Sequence, residues 1–110
     1  MIARIWHGWT TFENADTYED LLKNEIFPSI EKMGVNGYRK ISLLRRPLES
    51  EVEFITIMLF ENLAAVKEFA GEDYERSYVP EEAQKVLLKH DSYSQHYEII
   101  NEFEYSKKNP

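Results

Sequence analysis

The sequence predicts an α+β domain of the ferredoxin-like kind, β-α-β-β-α-β, with an extra short helix before the last strand and an antiparallel sheet. Three observations predict it. Strand-like runs and helical stripes alternate along the chain in that order. Two of the runs, Ile2–Thr11 and Val52–Phe60, are apolar on both alternation sets, as strands covered on both faces are. The chain has 110 residues, enough for one core and too few for a second. Residues 1–105 are therefore read as a single domain and 106–110 as a polar C-terminal tail.

The first segment reads as a strand because Ile2, Ile5, Trp6, Trp9, Thr10 and Thr11 favour a pleated backbone. A helix follows, with Asp16 as expected N-cap and Glu19 three residues on. Its stripe of Tyr18, Leu21, Leu22, Ile26, Ile30 and Met33 keeps helical spacing, and Gly34 supplies the stop. Pro28 lies inside that stripe. It lacks an amide and crowds the carbonyl four residues back, so a kink near Asn24 or a restart at Pro28 is expected.

Tyr38–Arg46 and Val52–Phe60 form a predicted hairpin, with the charged Arg39, Lys40, Arg45 and Arg46 suiting the first to an edge. Glu53, the one charge of the second, is expected to pair across the strands with Arg45 or Arg39. Asn62 caps a second helix whose buried stripe is Leu63, Val66, Phe69 and Ala70, ended by Gly71. Pro80 opens a short third helix, with Glu81 and Glu82 in its first turn and Lys85 and Lys89 later. The last strand is placed at Ser94–Glu104. Right-handed crossovers are expected to set the first and third strands in the centre, parallel to one another. Helices cover one face of such a sheet. A second copy packed sheet to sheet would cover the other, so a homodimer is expected.

Composition excludes several classes. A hydrophobic share of 43% is far too high for a disordered chain. The absence of cysteine removes disulfides, thiolate nucleophiles and Cys-based metal sites. A net charge of −7 repels phosphate backbones, so nucleic acid is not expected as a partner. Apolar runs fall short of the ~18–20 residues that cross a bilayer, and Met1-Ile2-Ala3-Arg4 does not begin a secretory signal. A cytoplasmic protein without a membrane partner is the expectation. The four scattered glycines make no phosphate loop, and no two histidines stand at helical metal spacing.

Several stretches carry a resemblance: Ile2-Ala3-Arg4-Ile5-Trp6-His7-Gly8-Trp9-Thr10, Glu51-Val52-Glu53-Phe54, Phe69-Ala70-Gly71-Glu72-Asp73-Tyr74 and His96-Tyr97-Glu98. Over nearly its whole length the chain resembles the antibiotic biosynthesis monooxygenase-like proteins, a superfamily of dimeric α/β-barrels. The resemblance implies a cofactor-independent monooxygenase acting on a small aromatic or quinone-like molecule. An alternative is a non-catalytic, small-ligand-binding or stress-associated dimer. Haem-degrading relatives use an Asn on the first strand, a Trp on the second helix and a haem-ligating His after it. This chain has His7 in the first region, Phe69 and no Trp on the helix, and only His90 in position to ligate, which disfavours haem degradation.

His7 and His96 are the candidate catalytic residues. With the first and last strands as neighbours they approach one another, and a carboxylate beside an imidazole makes an acid–base pair. The plainer reading makes each a hydrogen-bonded strand residue or part of the dimer contact. His90, beside Asp91, is expected to satisfy the end of the third helix. Trp6 and Trp9 fall on opposite faces, one in the core; Trp9 keeps an indole donor that could orient a ligand. Asp73, Tyr74 and Tyr78 lie in a connection that could act as a lid or simply cover the core. Arg4 shares its face with Ile2 and Trp6 and must be paired. Glu98, Glu102 or Glu104 would make that pair structural; a carboxylate or phenolate ligand would make it functional. No metal ligands and no cofactor are assigned.

Overall fold

The computed structural model describes residues 1–107. Of the expected tail, positions 108–110 lie outside the described residues. Five strands are found among those described: β1 (Ile2–Thr10), β2 (Tyr38–Pro47), β3 (Val52–Phe60), β4 (Lys89–His90) and β5 (Gln95–Glu98). The helices are α1 (Phe12–Leu21), continued by a π-helical turn over Leu22–Ile26 into α2 (Phe27–Lys32), then α3 (Leu63–Ala70) and α4 (Glu81–Gln84). No helix among them is long and apolar enough to cross a membrane.

The sheet order is β2-β3-β1, with β4 and β5 both pairing the free side of β1. β1 and β3 run antiparallel, from Ile2 opposite Phe60 to Thr10 opposite Val52. This corrects the expected parallel central pair. The right-handed crossover makes β1 parallel to β2, the hairpin then reverses β3, and β3 must run against β1.

Other boundaries differ for local reasons. Thr11, not Asp16, caps α1: its hydroxyl accepts from the Asn14 amide at 3.1 Å. Pro28 has the effect read from the sequence, since the widened turn over Leu22–Ile26 spans Asn24 and absorbs the missing amide. The third helix stops at Gln84, Pro80 caps it rather than entering it, and Lys89 and His90 belong to β4 instead. Gly8, opposite His90 of this strand, leaves room for the Leu87 side chain and the Trp6 ring. A Cβ there would lie 3.0 Å from Leu87 Cδ2 and 3.1 Å from the Trp6 ring. β5 ends at Glu98 rather than Glu104 because Glu98 already faces Ile2, the first residue of β1, and no strand remains to pair with.

Along β1 and β3 the even-numbered side chains face the helices. Val52, Phe54 and Phe60 there are almost fully buried with Tyr18 and Val66, each contributing about 1.5–3 kcal/mol of transfer free energy. The odd-numbered side chains, among them Ile5, Ile55, Ile57 and Leu59, are half-buried on a face over which no described element packs. Glu53 lies on this face opposite Arg46 and Trp9. Its expected partners are engaged elsewhere: Arg45 bonds Asp16 and Glu19 at 2.8 and 2.9 Å, and Arg39 bonds Glu61.

Candidate functional site

A cavity of about 110 Å³ lies between the helices and the even face of the sheet. Aliphatic and aromatic side chains form most of it: Leu22, Ile26 and Phe27 from the helical layer, Met58 from β3, and Phe69 from α3. Trp6 and Arg4 reach it from β1 and Thr56 from β3. Tyr18 lines it from α1, and burial raises its phenol above the ordinary value, so it stays neutral and able to donate.

Arg4 is the charge of this site. It is 7% exposed. Its Nη1 donates to the Tyr74 carbonyl at 2.6 Å and to His96 Nε2 at 2.9 Å, and its guanidinium lies 5.6 Å from the centre of the Phe69 ring. No carboxylate lies within ion-pair distance of it among the described residues. This corrects the expected pairing with Glu98, Glu102 or Glu104. The register sets His96 opposite Arg4 and Glu98 opposite Ile2, and the chain beyond Glu98 leaves the sheet. Desolvation pulls the guanidinium pKa down to about 10.

His96 is the second titratable group. A guanidinium only donates, so Nε2 is the unprotonated acceptor and the ring proton sits on Nδ1. Burial, then the nearby Arg4 charge, push the His96 pKa below its ordinary value, with Glu75 opposing weakly. The Tyr74 ring meets it edge-on at 5.2 Å.

His7 and His96 are not brought together. His7 is an odd-numbered residue of β1 and faces away from the cavity. Its Nδ1 lies 2.7 Å from Asp91 Oδ2, which also accepts the His7 amide at 3.0 Å. The carboxylate only accepts, so Nδ1 carries a proton and donates it to Asp91. Trp9 stacks on the ring at 6.0 Å, with Lys89 5.1 Å above the indole. His90 closes no helix end; it lies in β4 and stacks on Trp6 at 5.7 Å.

The connection before α4 contributes unevenly. Tyr74 offers its carbonyl to Arg4, whereas Tyr78 stands at the cavity rim, 87% exposed. The Asp73 carbonyl accepts the Arg76 amide in a turn, and its carboxylate has no bonding partner among the described residues. The stretch is tied down by Ser94 N to Glu75 O at 2.7 Å, Ser77 N to Ser92 O at 2.9 Å and a Ser77–Ser94 hydroxyl bond at 3.0 Å.

Sequence reasoning missed Asp91 as the partner of His7, because a two-residue strand carries no periodicity to announce it. It also placed Tyr18 only in a helical stripe. The buried polar tip that aims a tyrosine into a cavity has no counterpart in spacing.

The strands, helices and cavity define an α+β domain of the ferredoxin-like kind, with an antiparallel sheet covered by helices on one face. The particular likeness is to a crystal structure of a Bacillus cereus protein provisionally assigned as an antibiotic biosynthesis monooxygenase: TM-score 0.70 at 14% identity, covering 97% of this chain and 98% of that one. At that identity the likeness shows the fold. No protein-family model and no curated protein matches the sequence.

Proposed function

We propose that the protein is a cofactor-independent monooxygenase that binds a small aromatic or quinone-like molecule in the cavity over Arg4 and acts as a homodimer. The observation that carries this reading is a buried cation in an apolar cavity, with no carboxylate to neutralise it among the described residues. A planar substrate with an acidic hydroxyl supplies the missing negative charge. The guanidinium favours the ionised form, as a positive charge within a few ångströms does for any phenol or enol.

In the reaction, the hydroxyl proton passes to His96 Nε2, which Arg4 releases as it turns to the phenolate. The electron-rich ring carbon of an anthrone then reduces O₂ directly. Its CH₂ becomes C=O, one oxygen atom enters the product and the other leaves as water. Tyr18 donates to the ring oxygen. His7 and Asp91 belong to the subunit contact in this reading, since they lie on the sheet face opposite the cavity. The homodimer is supported by that same face, where Leu44 and Tyr97 are 43% and 56% exposed beside Ile55 and Ile57.

Oxygen uptake with hydroxynaphthoquinols and anthrones tests the proposal: one O₂ consumed per molecule, lost in Arg4→Gln and reduced at least about tenfold in His96→Gln. One observation favours the second reading, a binding protein without turnover: the His96 Nε2 lone pair beside the cavity is already engaged by Arg4. That reading predicts thermal stabilisation by the same compounds with no oxygen consumed.

A further inference from the structure

Tyr18 is 1% exposed, and its ring stands edge-on against Phe54 with the centroids 4.9 Å apart. Neither its hydroxyl nor that of Thr56 makes a hydrogen bond to a described residue. A buried tyrosine hydroxyl normally has a partner, because leaving one unpaired gives up its bonds to water without replacing them. The cavity that Tyr18 and Thr56 both line is where such a partner would lie. Burial keeps the phenol protonated, so the group it meets there must be an acceptor.

Helix geometry aims Tyr18 into this space. Residues four apart drift by about 40° around a regular α-helix, so Tyr18, Leu22, Ile26 and Ile30 would fan over about 120°. The π-helical turn over Leu22–Ile26, closed by the Phe27 amide on the Leu22 carbonyl, holds one residue more than an α-helical turn. That residue takes back about 100° and gathers the four side chains into a row about 60° wide. All four line the cavity.

The cavity thus has two polar ends. Arg4 lies opposite Met58 of β3. Thr56, the one polar residue on the inward side of β3, is two residues along that strand, about 7 Å, and Phe54 with the Tyr18 ring on it is about 14 Å along. Between the ends the walls are apolar, with Trp6, Leu22 and Phe27 among them. The volume is about 110 Å³, and an engineered apolar cavity of about 150 Å³ holds one benzene ring. One ring is therefore what lies between the ends, and further rings of a larger ligand would lie at the mouth beside Tyr78.

We propose that Tyr18 is a specificity-determining residue: the ring held in this cavity carries an acidic hydroxyl at the Arg4 end and a carbonyl-type oxygen at the other, which accepts the Tyr18 hydroxyl. Thr56 lies beside that second oxygen. This rests on the reading of Arg4 given above and says what the far end of the ring carries.

Calorimetric titration with para-hydroxyacetophenone and para-isopropylphenol tests it, because the two share a shape and differ at the far end by a carbonyl. They differ in acidity as well, so the comparison is made as a double-mutant cycle with Tyr18→Phe. Tyr18→Phe is expected to weaken the ketone about three- to tenfold and to leave the isopropyl compound within about twofold. Ortho-hydroxyacetophenone, with both oxygens at one end, is expected to show no such coupling. The empty variant is expected to melt no lower than the wild type, since it loses no bond present in the empty protein. Arg4→Gln is expected to weaken both para compounds. Equal effects of Tyr18→Phe on the ketone and its isostere, with Arg4→Gln still weakening both, overturn the second polar end and leave the Arg4 site standing. Failure of all three compounds to bind the wild type at millimolar concentration overturns both.

Discussion

Arg4 concentrates the conflict between stability and binding at a single residue. Its desolvation works against folding, while its bonds to the Tyr74 carbonyl and His96 offset part of that cost. Arg4→Met relieves the first and removes the second, leaving two acceptors without a donor at about 1–3 kcal/mol each. The opposing terms predict a net stability change within about 2 kcal/mol, read by urea denaturation. Affinity for an aromatic anion, read by fluorescence titration, falls at least about tenfold. A variant that bound such anions normally would remove Arg4 from the site. His96 carries a pH signature. Its folded pKa lies below the ordinary 6.5, so the unfolded chain takes up a proton first as the pH falls. The stability this group contributes is full above about 6.5 and is lost as the pH falls through its lower folded value. His96→Gln should therefore narrow its stability gap from the wild type as denaturation is repeated from pH 7.5 down to pH 5.

At the scale of elements, caps and pairing lengths decide the boundaries. The hydroxyl of Thr11 and the carboxamide of Asn62 each accept the amide three residues on, Asn14 N at 3.1 Å and Ala65 N at 2.9 Å. Thr11→Ala and Asn62→Ala are each expected to cost about 1 kcal/mol in chemical denaturation. Asp16→Ala removes only an exposed contact to Arg45 and should cost no more than about 0.5 kcal/mol. Asn62 was legible because a helical stripe begins directly after it. Thr11 was less so: it stands at the end of an apolar strand, where a β-branched residue reads as more strand. An irregularity near Asn24 was legible because proline's missing amide is a local fact, though its π-helical form was not; β4 was not legible, because its two residues are held by what β1 offers them. The Leu88 amide to Trp9 O at 2.7 Å and the Asp91 amide to His7 O at 2.9 Å bracket that strand.

For the whole molecule, the uncovered sheet face is the dominant feature. Ile57 lies on it, between Ile5 of β1 and Ser42 of β2. Ile57→Lys places a charge where the proposed subunit contact would bury it, which predicts a folded monomer by sedimentation at concentrations where the wild type is a dimer. A variant as dimeric as the wild type would remove this face from the contact.

Helix stripes, strand runs, the Pro28 irregularity and the two-sided apolarity of β1 and β3 were all written in the amino-acid order. They depend on spacing and on the intrinsic chemistry of each residue, which a linear string carries in full. Tertiary structure alone decided that His7 and His96 face opposite sides of the sheet, that Asp91 orients one and Arg4 engages the other, and that Arg4 finds no carboxylate among the described residues. Such outcomes turn on strand register, where a shift of one residue sends a side chain to the opposite face, and register is chosen by the packing of the whole sheet rather than by any one segment.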